Sequence, residues 1–353
     1  MHGATLVIAG RAVGPGSPVY IVAELSANHR QDKAEALRLI RAAKEAGADA
    51  IKLQTYTPDT MTIQASGGDF EIRDGIWKGR TLYDLYAEAY TPWEWHQDLK
   101  READRLNIHL FSTPFDPTAV DFLDDLGVPA YKVASFELVD VPLLRHIARK
   151  GRPIIVSTGM ATLAEIDEAA TAIRGEGNEQ FAFMHCISAY PALPEEMNLR
   201  TIPNLAETFN VPVGLSDHTL GMAITLGAVA LGACLVEKHL TFDRAAGGPD
   251  AAFSLEPGEF GQMIQSVRQL ERALGSVRYG PTEREKEMRS LRRSLFAVTD
   301  VAAGEVLTTR NVRSIRPATG LHPRYLTAVL GRRAARGIPS GTPLSWHLIT
   351  DDE

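Results

Sequence analysis

Cysteine is nearly missing from this chain. Cys186 and Cys234 are the two in 353 residues, too few for a disulfide scaffold, and neither stands in a C-x-x-C pair. A reducing compartment, the cytoplasm, is the expectation. Long apolar runs are missing too: the longest, around residues 223–236, is broken by glycines and is too short to span a bilayer. No basic-then-apolar leader opens the chain, so no membrane partner is expected. There is also no G-x-G-x-x-G or Walker sequence, which argues against an open, doubly wound nucleotide-binding sheet. Aromatic residues make up 7% of the chain, and only Phe296, Tyr325 and Trp346 fall between Arg292 and Ile349. That stretch is the basic part of the molecule, yet it has too few rings to stack bases, so nucleic acid is not an expected partner.

What is present is a sizeable core and an uneven charge. Hydrophobic residues are 44% and charged residues 23%, the composition of a folded globular protein. Arg292 to Ile349 holds nine Arg, no Lys and two acids, Asp300 and Glu305, for +7; with a whole-chain charge of -7, the remainder carries -14. A basic tail follows an acidic body, and such a tail could meet an anion held by that body.

Short apolar, β-rich runs alternate with helical patterns along the body. Strands are expected at Val19–Ser26, Ala50–Thr55, His109–Phe115, Ala130–Ser135, Pro153–Gly159, Phe181–Ser188, Pro212–His218 and Cys234–Thr241. Helical stretches lie between most of them, including Lys33–Ala46 and Met222–Ala233, and Pro257–Leu274 follows the last strand. Eight such pairs over about 250 residues fit a (β/α)8 TIM barrel, an α/β fold. Asp59–Arg80 interrupts the pattern where a barrel presents a site loop. The tail reads as a small β-rich domain. The expected division is a barrel domain over 1–280, a linker over 281–294 and a C-terminal domain over 295–353.

A barrel's chemistry sits at the C-terminal ends of its strands, and polar residues crowd the predicted ends. Glu24 closes the first strand, and Lys52 and Gln54 share one face of the second, opposite Ile51 and Leu53. Ser112 and Thr113, Lys132 and Ser135, Ser157, Ser188 and Tyr190, and Ser216 follow on later strands. Two lysines amid these hydroxyls suit a phosphate plus a carboxylate, or else a Schiff-base lysine. His218 and His239, on the last two strands, form a two-histidine metal site with open positions or simply two hydrogen-bonded imidazoles. Glu237 shares the face of His239, while Lys238 takes the other and is left outside the site. Glu24 could serve as acid, base or hydroxyl acceptor. Asn28-His29 could cap the helix from Lys33, although Asp32 is an equal candidate. His185 and Cys186 face opposite ways and are not a thiol–imidazole pair.

The strings AELSANH at 23–29, AGADAIKLQ at 46–54, SFE after AYKVA, IIVSTGMATLAEI, GLSDHT and VEKHLT before GGPD resemble the sialic acid synthase family, in order and over nearly the whole chain. TLYDLYAEAYTPWEWH at 81–96 and SIRPATGLHP at 314–323 most resemble its pseudaminic acid branch. The tail resembles the antifreeze-like (SAF, β-clip) domain of these enzymes. The resemblance implies a metal-dependent transferase condensing phosphoenolpyruvate with an N-acetylated amino sugar, releasing phosphate and making a nine-carbon 2-keto acid. For that branch the sugar is 2,4-diacetamido-2,4,6-trideoxy-β-L-altropyranose; legionaminic and N-acetylneuraminic acid synthases differ in the acceptor. It further implies a divalent metal, Mn2+ or Mg2+, on His218 and His239. Phosphoenolpyruvate would meet Lys52, Thr113, Lys132, Ser135, Ser157, Ser188 (a family asparagine) and Ser216. The sugar would meet Glu24, Gln54, Tyr190, Asp250 and Arg316. Arg316 would enter the site of a second subunit in a domain-exchanged homodimer. Where the family string is commonly R-P-G-x-G, this chain has Arg316-Pro317-Ala318-Thr319-Gly320.

Overall fold

The computed structural model describes residues 4–65 and 67–350, and the chain divides into two compact units, Met1–Gly275 and Ser276–Glu353. The first opens with a hairpin, β1 (Leu6–Ile8) and β2 (Arg11–Val13), which the sequence pattern did not lead us to expect. The hairpin sits at the N-terminal ends of barrel strands: Val7 N–H donates to Gln180, just before one strand, and Arg11 pairs with Asp49 before another.

Eight parallel strands form this closed barrel. They are β3 (Tyr20–Glu24), β4 (Ala50–Thr55), β5 (His109–Pro114), β6 (Tyr131–Val133), β7 (Ile154–Ser157), β8 (Phe181–Cys186), β9 (Val213–Asp217) and β10 (Leu235–His239), with β10 pairing back onto β3. Nearly every strand residue is buried, because one face packs on helices and the other fills the barrel, so the strands read as continuous apolar runs. The outer layer is α1 (Lys33–Ala46), α2 (Pro58–Met61), α3 (Leu82–Ala89), α4 (His96–Leu106), α5 (Pro117–Leu126), α6 (Val141–Ala148), α7 (Leu163–Gly175), α8 (Thr201–Phe209), α9 (Ala223–Ala230) and α10 (Pro257–Leu274).

In α1, Ala36, Leu39, Ile40 and Ala43 are buried at three- and four-residue spacing, the stripe that an amphipathic helix turns to a core. Asp32 caps it by accepting from Ala34 N–H, and Gly47 at φ 96° ends it, where glycine meets no Cβ penalty. The capping role thus falls to Asp32. Asn28 instead donates to the Leu240 carbonyl and to Ser254 Oγ, 2.9 Å each. Helix α8 went unanticipated: Pro203 interrupts its pattern but sits in the first turn, where a missing N–H costs no helical bond.

In the second unit, residues 276–293 include no buried side chain. They carry α11 (Glu283–Met288), closed by a capping box between Thr282 and Glu285. β11 (Ser294–Ala297) pairs antiparallel with β12 (Val312–Ile315), isolated bridges such as Val301–Ile338 add short ladders, and α12 (Leu326–Val329) packs Val329 into a core of Leu295, Leu307, Val312 and Leu344. Ala318 does not adopt positive φ, so this turn does not call for glycine there. Gly320 is the constrained position, since a Cβ would lie 2.4 Å from the Leu295 carbonyl oxygen.

Candidate active site

Register and parity bring the polar residues together. Glu24 lies opposite Lys52 and His239, Gln54 opposite Thr113, and Ser216 opposite both Glu237 and Cys186. Alternation sends Ile51 and Leu53 into the outer core while Lys52 and Gln54 turn inward. Lys52 Nζ lies 2.9 Å from Glu24 and 3.3 Å from Glu237, and it donates to Thr113 Oγ1 at 3.3 Å. Gln54 Nε2 donates to Glu24 Oε1 at 3.1 Å, and Ser216 Oγ donates to Glu237 Oε1 at 3.2 Å. All except Gln54 are buried.

Burial pushes the Glu24 carboxyl up to about 7 against the pull of Lys52. Burial also opposes ionisation of Glu237, but Lys132 and Lys52 together hold it below the usual carboxylate range. The pair is therefore split into a carboxylate at Glu237 and a proton-exchanging group at Glu24, the arrangement that lets one site hold and move a proton.

Across the barrel, Lys132 Nζ donates to Ser157 Oγ at 2.6 Å and to the Val133 carbonyl at 3.0 Å. Burial lowers its pKa, and the Glu237 charge partly restores it. Gly159 N–H donates to Ser135 Oγ at 3.1 Å. A Cβ on Gly159 would lie 2.3 Å from Ser188 Oγ and 2.7 Å from Ser135 Oγ, so glycine is what permits these hydroxyls to close around one point. A lysine, three hydroxyls and a backbone amide make an oxyanion cradle.

His218 and His239 stand with ring centroids 5.5 Å apart. His218 Nδ1 is tied to the Ile187 carbonyl at 2.9 Å, leaving Nε2 as the nitrogen to present. His239 is held well below the ordinary histidine range by burial and by neighbouring cations, hence neutral, and its buried Nδ1 has no hydrogen-bond partner. A neutral imidazole with an orphaned ring nitrogen, beside a second imidazole whose Nδ1 is already engaged, fits a divalent cation. Among the described residues no group of three His, Cys, Asp or Glu side chains is gathered to hold a metal; the protein supplies a pair, with Asp250 Oδ2 4.0 Å from His239 Nδ1.

Tyr190 forms a wall beside this pair, its ring 4.5 Å from His218, 5.1 Å from Phe253 and 5.6 Å from Trp77. Trp77 comes from the 59–80 interruption, and its indole N–H donates to the Pro249 carbonyl at 3.0 Å. That segment thus reaches the barrel mouth.

Except for Ser112, every first-unit residue expected to bind substrate or metal lies in this region. Arg316 belongs to the second unit, where it is exposed and lines a shallow pocket with Met288, Leu291, Arg292 and Arg293. One expectation is corrected: Ser112 points outward, hydrogen-bonded to Thr55 at 2.6 Å within a network that reaches His96. Its neighbour Thr113 takes the inward face, which alternation alone requires. Two partners were missed. Glu237 was on the right face but given no role, and Cys186, correctly kept from His185, meets His218 instead, Sγ to Nδ1 3.8 Å. Nothing local marks that contact, because the two residues are 32 positions apart.

The NeuB family pattern matches residues 39–279 and the SAF domain pattern residues 292–350. A pseudaminic acid synthase of Campylobacter jejuni subsp. jejuni is 45% identical over 326 residues, covering 92% of this chain and 95% of that protein. Another, from Helicobacter pylori, is 42% identical over 330 residues, with coverages of 93% and 97%. The solved N-acetylneuraminic acid (sialic acid) synthetase of Leptospira borgpetersenii superposes with a TM-score of 0.73 at 32% identity, over 82% of this chain and 96% of that one.

Proposed function

The chain belongs to the NeuB family, and from that premise we propose that it is a pseudaminic acid synthase. This transferase joins C3 of phosphoenolpyruvate to the aldehyde carbon of open-chain 2,4-diacetamido-2,4,6-trideoxy-β-L-altropyranose. The observation that carries the reading is the pairing of two buried lysines and a hydroxyl cradle with a buried histidine pair at one barrel mouth. Phosphate lies against Lys132, Ser135, Ser157 and Ser188, and the carboxylate against Lys52, Thr113 and Ser216. Together the two lysines offset most of the trianion's charge.

His218 and His239 would hold a divalent cation, Mn2+ or Mg2+, which when bound supplies Lewis-acid polarisation of an aldehyde oxygen. The remaining work falls to the chain. As C3 attacks and the C–C bond forms, Glu24 gives its proton to the aldehyde oxygen, which becomes the new hydroxyl. Water then adds at C2 and returns a proton to Glu24, whose raised pKa suits it to both steps near neutrality. Cleavage of the bond between C2 and the phosphate ester oxygen then expels inorganic phosphate, which takes the C2 hydroxyl proton while Lys132 meets its developing charge, and leaves the 2-keto acid. Gln54, Tyr190 and Asp250 hold the sugar.

Loops after β6, β7, β8 and β9 expose Phe136, Val139, Met160, Leu163, Leu193 and Leu220. An apolar rim on four successive strands is a surface that another body covers. The C-terminal unit of a second copy is our choice, with its Arg316 contacting an acetamido carbonyl in a domain-exchanged homodimer. Two free thiols suit the cytoplasm, and among the described residues no helix is long and apolar enough to cross a membrane.

Phosphate release that needs both phosphoenolpyruvate and the altrose-derived sugar, and stops with a chelator, is the expected result. Release with N-acetylmannosamine but not with that sugar would overturn the acceptor assignment and keep the family chemistry.

A further inference from the structure

The connection after β3 has three left-handed residues, Ser26, Arg30 and Gln31, and of these only Ser26, with φ of 45°, is buried. L side chains rarely adopt this region, and glycine would take it freely. A serine held there needs a compensating interaction, and its hydroxyl makes two. Ser26 Oγ donates to Asp250 Oδ2 and accepts from Gln54 Nε2 at 3.0 Å.

These contacts have a direction. A serine hydroxyl has one proton, and here it goes to a carboxylate. Gln54 must therefore turn its amide nitrogen toward Ser26, and the same nitrogen donates to Glu24 Oε1. The Gln54 oxygen is left facing away from both, and no described residue donates to it. The other end of the chain of contacts is Asp250, fixed beside His239 and reached through a loop 224 positions away in sequence.

We propose that Ser26 is a positioning residue for the acceptor sugar. Through one hydroxyl it locks the Gln54 amide with its oxygen outward and the Asp250 carboxylate beside the histidine pair, so that both offer acceptors to a ligand rich in N–H and O–H donors. An acetamido sugar is such a ligand, and on this point the proposal rests on the acceptor reading above.

Ser26→Gly separates this role from a structural one, because glycine accepts the backbone conformation while removing the hydroxyl. The expected result is a thermal midpoint unchanged or raised, a KM for the acceptor raised about tenfold, the scale of one lost hydrogen bond, and an unchanged KM for phosphoenolpyruvate. Ser26→Ala should show the same acceptor defect with a lower midpoint, since it keeps the strained backbone. An unchanged acceptor KM in an active Ser26→Gly enzyme overturns the proposal, as does an equal rise in both KM values with a fallen midpoint. If the wild type releases no phosphate with any acetamido sugar, the function reading fails instead. Calorimetric titration of wild type and Ser26→Gly with the altrose-derived sugar then decides the Ser26 role: weaker binding to the variant supports it, and equal affinity overturns it.

Discussion

Strands β9 and β10 contribute to two buried lysine–carboxylate contacts on opposite faces, one between themselves and one with Lys52 of β4. Outward, beneath α9, Lys238 lies 2.9 Å from Asp217 and donates to the Thr219 carbonyl at 2.7 Å. Asp217 also accepts from Thr219 N–H, Thr219 Oγ1 and Thr225 Oγ1 at 2.7 to 2.9 Å. Inward, one residue away on each strand, Ser216 donates to Glu237, which shares Lys52 with Glu24, and there Glu237 Oε2 and His239 Nδ1 are buried without a hydrogen-bond partner. Buried polar atoms are satisfied almost everywhere in proteins, and exceptions mark strain or function. The outward pair holds β9, β10 and α9 together, whereas the inward cluster keeps capacity for substrate.

Five experiments test that contrast, from the largest expected effect downward. Lys52→Ala should lower turnover by about a thousandfold, the scale of losing an electrostatic contact made in the transition state, while circular dichroism shows the fold retained. Full activity in that variant would make the inward cluster structural. Asp217→Ala should do the reverse. It leaves Lys238 as an uncompensated buried cation and should destabilise the fold by about 3–5 kcal/mol, read from denaturant midpoints, with turnover per folded molecule little changed.

Arg316 supplies a third kind of cation, exposed and without an acidic partner among the described residues. Arg316→Ala should raise the acceptor KM by about ten- to a hundredfold, as for a lost charge-assisted hydrogen bond, and leave phosphoenolpyruvate binding intact. At an acceptor concentration far below the KM of Arg316→Ala, mixing Arg316→Ala with His239→Ala subunits should raise activity above that of either variant alone if each site draws on two chains. Proven heterodimers without that gain would refute the exchange.

The smallest effect concerns protons. With Glu24 raised to about 7, the group is neutral below that pH and charged above it, and a neutral neighbour favours a bound trianion. Affinity for phosphoenolpyruvate should therefore fall as pH rises through 7, by up to about tenfold per unit. Glu24→Gln, neutral throughout, should lack that component when the two proteins are titrated side by side in a calorimeter. Parallel curves would show that Glu24 does not titrate in this range.

Much of the barrel was legible because burial writes a strand as a short apolar run, and all eight runs became strands, Ala50–Thr55 with the expected bounds and the others one to three residues shorter. Parity carried the inference further: it separated Lys52 from Ile51 and excluded Lys238 from the site, and it would have separated Ser112 from Thr113 had it been applied there. Helix α8 and the β1–β2 hairpin escaped, the one because Pro203 obscures its period and the other because three-residue strands carry too little pattern.

The amino-acid sequence by itself determined the strand count, the inward faces and the chemical types gathered at the mouth, because these follow from local periodicity and from which end of each strand holds polar residues. Only the tertiary structure decided who meets whom. Lys52 lies between two carboxylates rather than one, Cys186 meets His218, and Ser26 binds both Gln54 and Asp250. The reason is physical: hydrogen bonds and charges act over about 3–4 Å in space, and barrel closure joins β10 to β3, residues that no periodicity along the chain connects.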